Sequence, residues 1–202
     1  MSNITIPLFP LNGAILFPGS SLPLNIFEKK YVDMINFSLS SKRLIGMIQQ
    51  QPNGNLYKIG CIGKINSFNE TNDGRYIVNL VGKDFYSIIS EISSEHKFKL
   101  AKVEIQLQKY QLNEAEIINK EKLELVEIFK KYTADKKIQI DFNLLNEIED
   151  RDLINFIAMS CPFSVADKQM LLETPGINLI IKKLINLFKF YLEDEKISKT
   201  IN

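Results

Sequence analysis

Ile6-Pro7-Leu8-Phe9-Pro10-Leu11, Leu16-Phe17-Pro18-Gly19 and Leu22-Pro23-Leu24-Asn25-Ile26-Phe27-Glu28 follow one another near the N-terminus. Prolines cut these apolar runs at close intervals. A helix interior does not tolerate them, because each removes an N–H donor and its ring clashes with a carbonyl of the preceding turn. A central strand would lose ladder donors. The runs therefore read as short extended segments, each ended or turned by proline, in a compact β domain.

Strand and turn signals continue from there to about Gln106. Leu44-Ile45-Gly46-Met47-Ile48 is a short buried run, and Pro52-Asn53-Gly54-Asn55 a turn with Gly suited to positive φ. Tyr57 to Ile65 alternates apolar and other residues, which predicts a half-buried strand. Asp73-Gly74, between Phe68 and Tyr76, marks a hairpin. Tyr76 to Val81, Phe85 to Ile92 and Phe98 to Gln106 read as further strands. One helix interrupts this half, from Glu28 to about Ser40, with Tyr31, Met34, Ile35 and Leu39 close to one face. Glu28 falls in its first turn, where the helix dipole favours a carboxylate.

Near Tyr110 the period changes to 3.6. Ala115, Ile118, Lys122, Leu125, Phe129 and Tyr132 step by three and four, which predicts a long amphipathic helix. After a looser segment, Leu144, Leu145 and Ile148 suggest a short helix, and Asp152 to Cys161 another, stopped by Pro162. Ser164-Val165-Ala166-Asp167 is a capping box with Asp for Glu. Thr174-Pro175 places an N-cap before a proline at the first helical position. The last helix is expected to reach about Glu195, with a polar tail to Asn202. The class is α+β, with 1–108 forming the β-rich part and 109–202 the helical part.

The composition excludes more than it suggests. Hydrophobic residues at 45% and charged residues at 24% are ordinary for a globular chain of 202 residues. A net charge of +1 argues against duplex DNA or an anionic membrane as partner. The only arginines are Arg43, Arg75 and Arg151, so the planar forks that read phosphates and bases are scarce. Cys61 and Cys161 lack the spacing of a zinc or redox motif and read as buried thiols. A basic n-region with an apolar core is missing, as is any apolar run of about 18 residues. The cytoplasm is the expected compartment. Neither Gly63-Lys64 nor Gly82-Lys83 has the upstream glycine or following hydroxyl of a phosphate loop. The one histidine, His96, lies in a polar run that reads as a solvated loop, so a catalytic triad or histidine metal site has little to draw on. No catalytic, cofactor or metal residue is assigned.

An ordered set of weak motifs also runs through the chain. Pro7-Leu8-Phe9-Pro10-Leu11, Leu16-Phe17-Pro18-Gly19 and Leu22-Pro23-Leu24 come first, then Ile26-Phe27-Glu28 with Tyr31 and Met34. Gly46-Met47, Tyr57-Lys58-Ile59-Gly60-Cys61, Asp73-Gly74-Arg75-Tyr76 and Gly82 with Phe85 follow, and the helical half adds Ala158 and Lys168-Gln169-Met170-Leu171-Leu172-Glu173. In order and spacing this set resembles the N-terminal, substrate-binding domain of ATP-dependent Lon proteases, a family that also occurs as free-standing proteins. Asp84 stands where a basic residue is usual, and Ile180 about where an arginine is often found. The resemblance implies a twisted, PUA-like β pseudo-barrel with one packed helix, followed by a helical bundle. It implies recognition of unfolded or degron-bearing polypeptide, with a separate protease as an associate. The sequence ends where a Lon protease would continue into ATPase and peptidase modules, so a stand-alone, non-catalytic member is the expectation.

The residues singled out for polypeptide contact are Phe17, Pro18, Phe27, Glu28, Lys29, Lys30 and Tyr31. Each has a plainer reading. Phe17, Phe27 and Tyr31 suit core or loop packing, Pro18 a turn, Glu28 a helix start, and Lys29 and Lys30 a solvated face. The alternative function is RNA binding by a PUA-like barrel. It would need a basic face interleaved with aromatics, and the 13 Phe and 7 Tyr are not accompanied by a lysine-rich strand.

Overall fold

The computed structural model describes residues 3–106, 117–145 and 147–201, with side chains of the last helix described to 193. Ala115, Tyr110 and Asn202, named above, lie outside these. The described residues fall into two compact units, one of 3–106 with Pro162–Glu173, the other of 117–161 with 174–201.

The first unit holds the strands β1 (Asn3–Pro10), β2 (Ser21–Ile26), β3 (Leu44–Ile48), β4 (Ile59–Glu70), β5 (Tyr76–Ile92) and β6 (Lys99–Ile105), and the helix α1 (Lys29–Leu39). The sheet order is β2-β5-β4-β3-β1-β6, and β6 also pairs with β5. Thus β1, β3, β4, β5 and β6 close on themselves, and β2 is added outside on the first part of β5. The parallel pairing of β1 with β3 requires a crossover, which β2 and α1 supply. Ile6, Leu8, Ile48, Ile62, Tyr86, Ala101 and Val103 fill the closed part.

Tyr86 explains two of the glycines. Its hydroxyl donates to the carbonyl of Met47 at 3.3 Å, and its ring end occupies the space where a Cβ of Gly46 or Gly60 would stand. The two segments read as Tyr76–Val81 and Phe85–Ile92 form the single strand β5. It passes Gly82 without a break, and the position is glycine because a Cβ there would run into the backbone carbonyl of Phe17. The expected half-buried alternation of Tyr57–Ile65 is not found. Gly60 to Gly63 are all buried: Tyr86 lies against Gly60 on one face, and Leu16 of the loop after β1 lies against Gly63 on the other.

The turn residues behave as their chemistry dictates. Gly54 has φ +83° in the Pro52–Asn55 turn, Gly74 φ +79° between β4 and β5, and Gly19 φ +85° before β2. Helix α1 buries Met34, Ile35 and Ser38, whose hydroxyl donates to the carbonyl of Met34 at 2.8 Å. Glu28 is not in its first turn. It is the N-cap residue, extended at φ −69° and ψ 126°, and its side chain makes no capping bond.

The second unit holds α2 (Asn119–Asp135), α3 (Phe142–Leu145), α4 (Asp150–Ser160) and α6 (Ile177–Ile201). Phe188 of α6 packs against Phe129 and Tyr132 of α2, with ring centres 5.7 and 4.9 Å apart. Lys182–Glu121 and Lys189–Glu124 ion pairs flank that seam. Ile148 falls outside α3, which buries none of its residues. Helix α6 begins after Gly176, whose carbonyl accepts from Ile180, so Pro175 precedes the helix instead of opening it. It continues to Ile201, beyond the end expected near Glu195. Among the described residues no helix is long and apolar enough to cross a membrane.

Candidate functional site

Helix α5 (Val165–Glu173) belongs with the strands, although it lies in the helical half of the sequence. Ser164 opens it as the capping box requires, its Oγ accepting from the Asp167 N–H at 3.1 Å. Three buried polar side chains then attach it to the barrel. Gln49 Nε2 donates to the Val165 carbonyl and to Gln169 Oε1, both at 3.1 Å, and Gln49 Oε1 accepts from the Gly13 N–H at 3.1 Å. Gln169 Nε2 donates to the Ile59 carbonyl at 3.0 Å and to Glu173 Oε1 at 2.7 Å. Lys168 Nζ donates to the Gly13 carbonyl at 2.7 Å. These contacts hold the loop that carries Ile15–Phe17, and so the entry to β2. Sequence reasoning missed this network, since polar residues inside a helix are ordinarily solvated.

At the far end of β2 the chain turns into α1. Ile26 is buried on the inner face, and Phe27, one residue on, is 66% exposed. Glu28 and Lys29 are exposed beside it. Lys29 pairs with Asp33 at 2.7 Å, one helical turn along, and Lys30 with Glu28 at 3.3 Å. Lys30 Nζ also stands 4.5 Å from the centre of the Tyr31 ring. The Glu28 carboxylate, by hydrogen bond, and the Tyr31 phenol group, by charge, hold the Lys30 ammonium above its ordinary pKa. Tyr31 is half-buried and meets buried Phe9 edge-on at 4.6 Å.

The seven residues singled out in the sequence thus separate. Phe27, Glu28, Lys29, Lys30 and Tyr31 share one junction, with Phe27 outward, where core packing was the plainer reading. Phe17 is 3% exposed, with its ring 6.1 Å from Phe85, so it packs the loop from within and presents no contact surface. Pro18 is half-buried in the turn before Gly19. His96 is exposed, stacked on Phe98 at 4.6 Å. Cys61 and Cys161 are buried and form no disulfide, and burial pushes the Cys61 thiol up, far from the reactive thiolate range. Among the described residues no cluster of His, Cys, Asp or Glu is placed to hold a metal ion.

Residues 5–189 match the family model described as the ATP-dependent protease La (LON) substrate-binding domain. This chain belongs to that family. The Lon protease of Flavobacterium johnsoniae is 26% identical over 185 residues, covering 86% of this chain and 22% of the relative. Lon protease 1 of Bdellovibrio bacteriovorus is 26% identical over 211 residues, covering 97% and 26%. The chain therefore spans about a quarter of the length of these curated relatives. The fold is that of a Lon N-terminal domain protein from Xanthomonas campestris, with TM-score 0.67 and 18% identity over 91% of this chain and 98% of that one. The N-terminal domain of Mycobacterium avium complex Lon protease gives TM-score 0.64 at 17% identity over 92% and 98%. Within this Lon domain, the Lys168-Gln169-x-Leu171-Leu172-Glu173 element now has a physical account. Lys168, Gln169 and Glu173 form the polar attachment, and Leu171 and Leu172 are buried beside it.

Proposed function

We propose that this domain holds unfolded or degron-bearing polypeptide for proteolysis and performs no catalysis itself. The observation that carries the reading is Phe27, a large apolar side chain left in solvent at the strand-to-helix junction, four residues before Tyr31. Isolated exposed apolar residues are common, but an exposed aromatic within four residues of a second aromatic and of paired charges suits capture of apolar side chains. Membership of the Lon substrate-binding family supports the same class of ligand. Phe27, Glu28, Lys29, Lys30 and Tyr31 form the proposed contact, Pro18 lies in the loop before β2, and Phe17 shapes that loop from behind. A separate protease, or protease modules joined to this domain, would receive the client.

The test is a titration of labelled, permanently unfolded polypeptide and of labelled RNA at two salt concentrations. Apolar capture is little screened, whereas several phosphate contacts lose on the order of 10³-fold in affinity between about 50 and 200 mM salt. Polypeptide affinity is expected to change by less than about tenfold over that range, since the ion pairs at the junction are exposed and weak. Tight, salt-sensitive RNA binding with no polypeptide binding would replace the proposal with the PUA-like RNA reading.

A further inference from the structure

Strand β2 pairs with β5 alone among the described residues, so its other edge is open. The register sets Leu22 opposite Leu80 and Leu24 opposite Val78 on the inner face. One strand inward, Leu80 and Val78 are fully buried, yet Leu22 and Leu24 are only half-buried. The apolar layer of the sheet thus runs to the edge and is only half covered there.

The backbone of that edge is oriented as well. The Ser20 carbonyl accepts from the Gly82 N–H at 2.9 Å, so the alternation of an antiparallel ladder turns the backbone groups of Ser21, Pro23 and Asn25 outward. Pro23 has no N–H to offer. The edge therefore presents the carbonyls of all three but the donors of Ser21 and Asn25 alone. Open edges are ordinarily guarded by charge or by proline; Ser21–Ile26 carries no charge, and its one guard is Pro23, which removes a single outward donor. The next charges along the chain after β2 include Lys29, paired with Asp33, and Lys30, paired with Glu28.

We propose that β2 accepts an added strand from an unfolded polypeptide, and that the preferred segment is uncharged and alternates apolar with small polar residues. This rests on the polypeptide-binding reading above and names its mode and ligand. The uncharged edge has nothing to satisfy an acidic or basic segment, and backbone pairing with alternate apolar contacts is the recognition that an open strand offers. The added apolar residues would cover Leu22 and Leu24, and Phe27 would close on the outer side. Pro23 keeps the ladder incomplete, which suits a client that must later be released.

The experiment uses a fluorescent peptide of alternating valine and serine, about as long as a common strand, and two N-methylated forms, one on the valine amides and one on the serine amides. In a strand only alternate amides face the partner. One methylated form is expected to bind about tenfold more weakly and the other within about threefold, the scale of one or two lost hydrogen bonds. Asn25→Pro, which removes an outward donor without touching the β2–β5 ladder, is expected to weaken the parent peptide by a similar factor. Circular dichroism checks that it folds. Equal effects of the two methylations, or unchanged binding by Asn25→Pro, would overturn strand addition at β2 while leaving polypeptide binding in place. So would binding of a carboxymethylated unfolded protein without binding of the peptide. Failure to bind either ligand would remove the functional reading itself. A dimer in sedimentation that Asn25→Pro dissolves would also overturn it, by making a second copy the occupant.

Discussion

Phe17 and Phe27 are the same side chain in two environments, and the difference fixes what each substitution should do. Phe17 is buried over β5, so Phe17→Ala removes packing and leaves a cavity, at a cost of about 3–5 kcal/mol. Phe27 stands in solvent, and Phe27→Ala is expected to change stability by no more than about 0.5 kcal/mol. Urea melts of the two variants check this, and equal losses would mean that Phe27 is packed. The buried phenols allow a second prediction at this scale. Burial, with Cys161 and Tyr191 adding, pushes the Tyr132 hydroxyl up from 10.0 to about 12. Burial also raises Tyr86 and the Cys61 thiol. The folded state then keeps protons that the unfolded state releases, so this stability is complete below the unfolded pKa and declines as pH rises through the folded one. Urea midpoints should therefore begin to fall near pH 9, where an unfolded thiol titrates, and fall further between about pH 10 and 12 as the phenols do. Tyr132→Phe should make that decline shallower, and an unchanged slope would show that Tyr132 titrates alike in both states.

At the scale of elements, α5 is attached by a polar network that an apolar helix face would not need. Gln169→Ala would leave the Ile59 carbonyl and Gln49 without one partner each, at a cost of about 2–3 kcal/mol. In a double-mutant cycle with Gln49→Ala the pair should show a coupling of about 1 kcal/mol or more, and additive losses would show that the two amides act independently. Ser164→Ala, which deletes only the cap, should cost about 1 kcal/mol. These elements also show what a sequence can and cannot display. The turns at Gly54, Gly74 and Gly19 were legible because positive φ selects glycine. The cap of α5 was legible because Ser and Asp bond locally. The outward place of Phe27 was within reach too: Leu22, Leu24 and Ile26 point inward by twos, and the residue after Ile26 must take the other face. The cover over β4 was not legible. It comes from a loop distant in sequence, and nothing in the Tyr57–Ile65 pattern reports a second buried face. Nor was the attachment of α5, since Lys168 and Gln169 are types whose burial depends on partners elsewhere in the chain.

At the scale of the whole molecule, the two units are interleaved along the chain. The path runs through the strands, into α2–α4, back to α5 and out again into α6. A cut after 108, which the change of period suggests, separates α5 from the strands it packs with. The strand segment alone would then expose what α5 covers and would leave Gln49 Nε2, the Gly13 carbonyl and the Ile59 carbonyl without their α5 partners. An unpartnered buried polar group costs about 1–3 kcal/mol, and domain stability is only about 5–15 kcal/mol, so several such losses approach the whole. A fragment of residues 1–108 is therefore expected to melt at much lower urea concentration than the full chain, or to lack a cooperative transition. Adding a peptide of residues 162–173 should raise its midpoint in proportion to the logarithm of peptide concentration once the site is mostly filled, as a ligand that binds only the folded state does. The same peptide carrying Lys168→Ala and Gln169→Ala should do so less. A fragment as stable as the full chain, indifferent to the peptide, would show that the strands form a complete domain without α5.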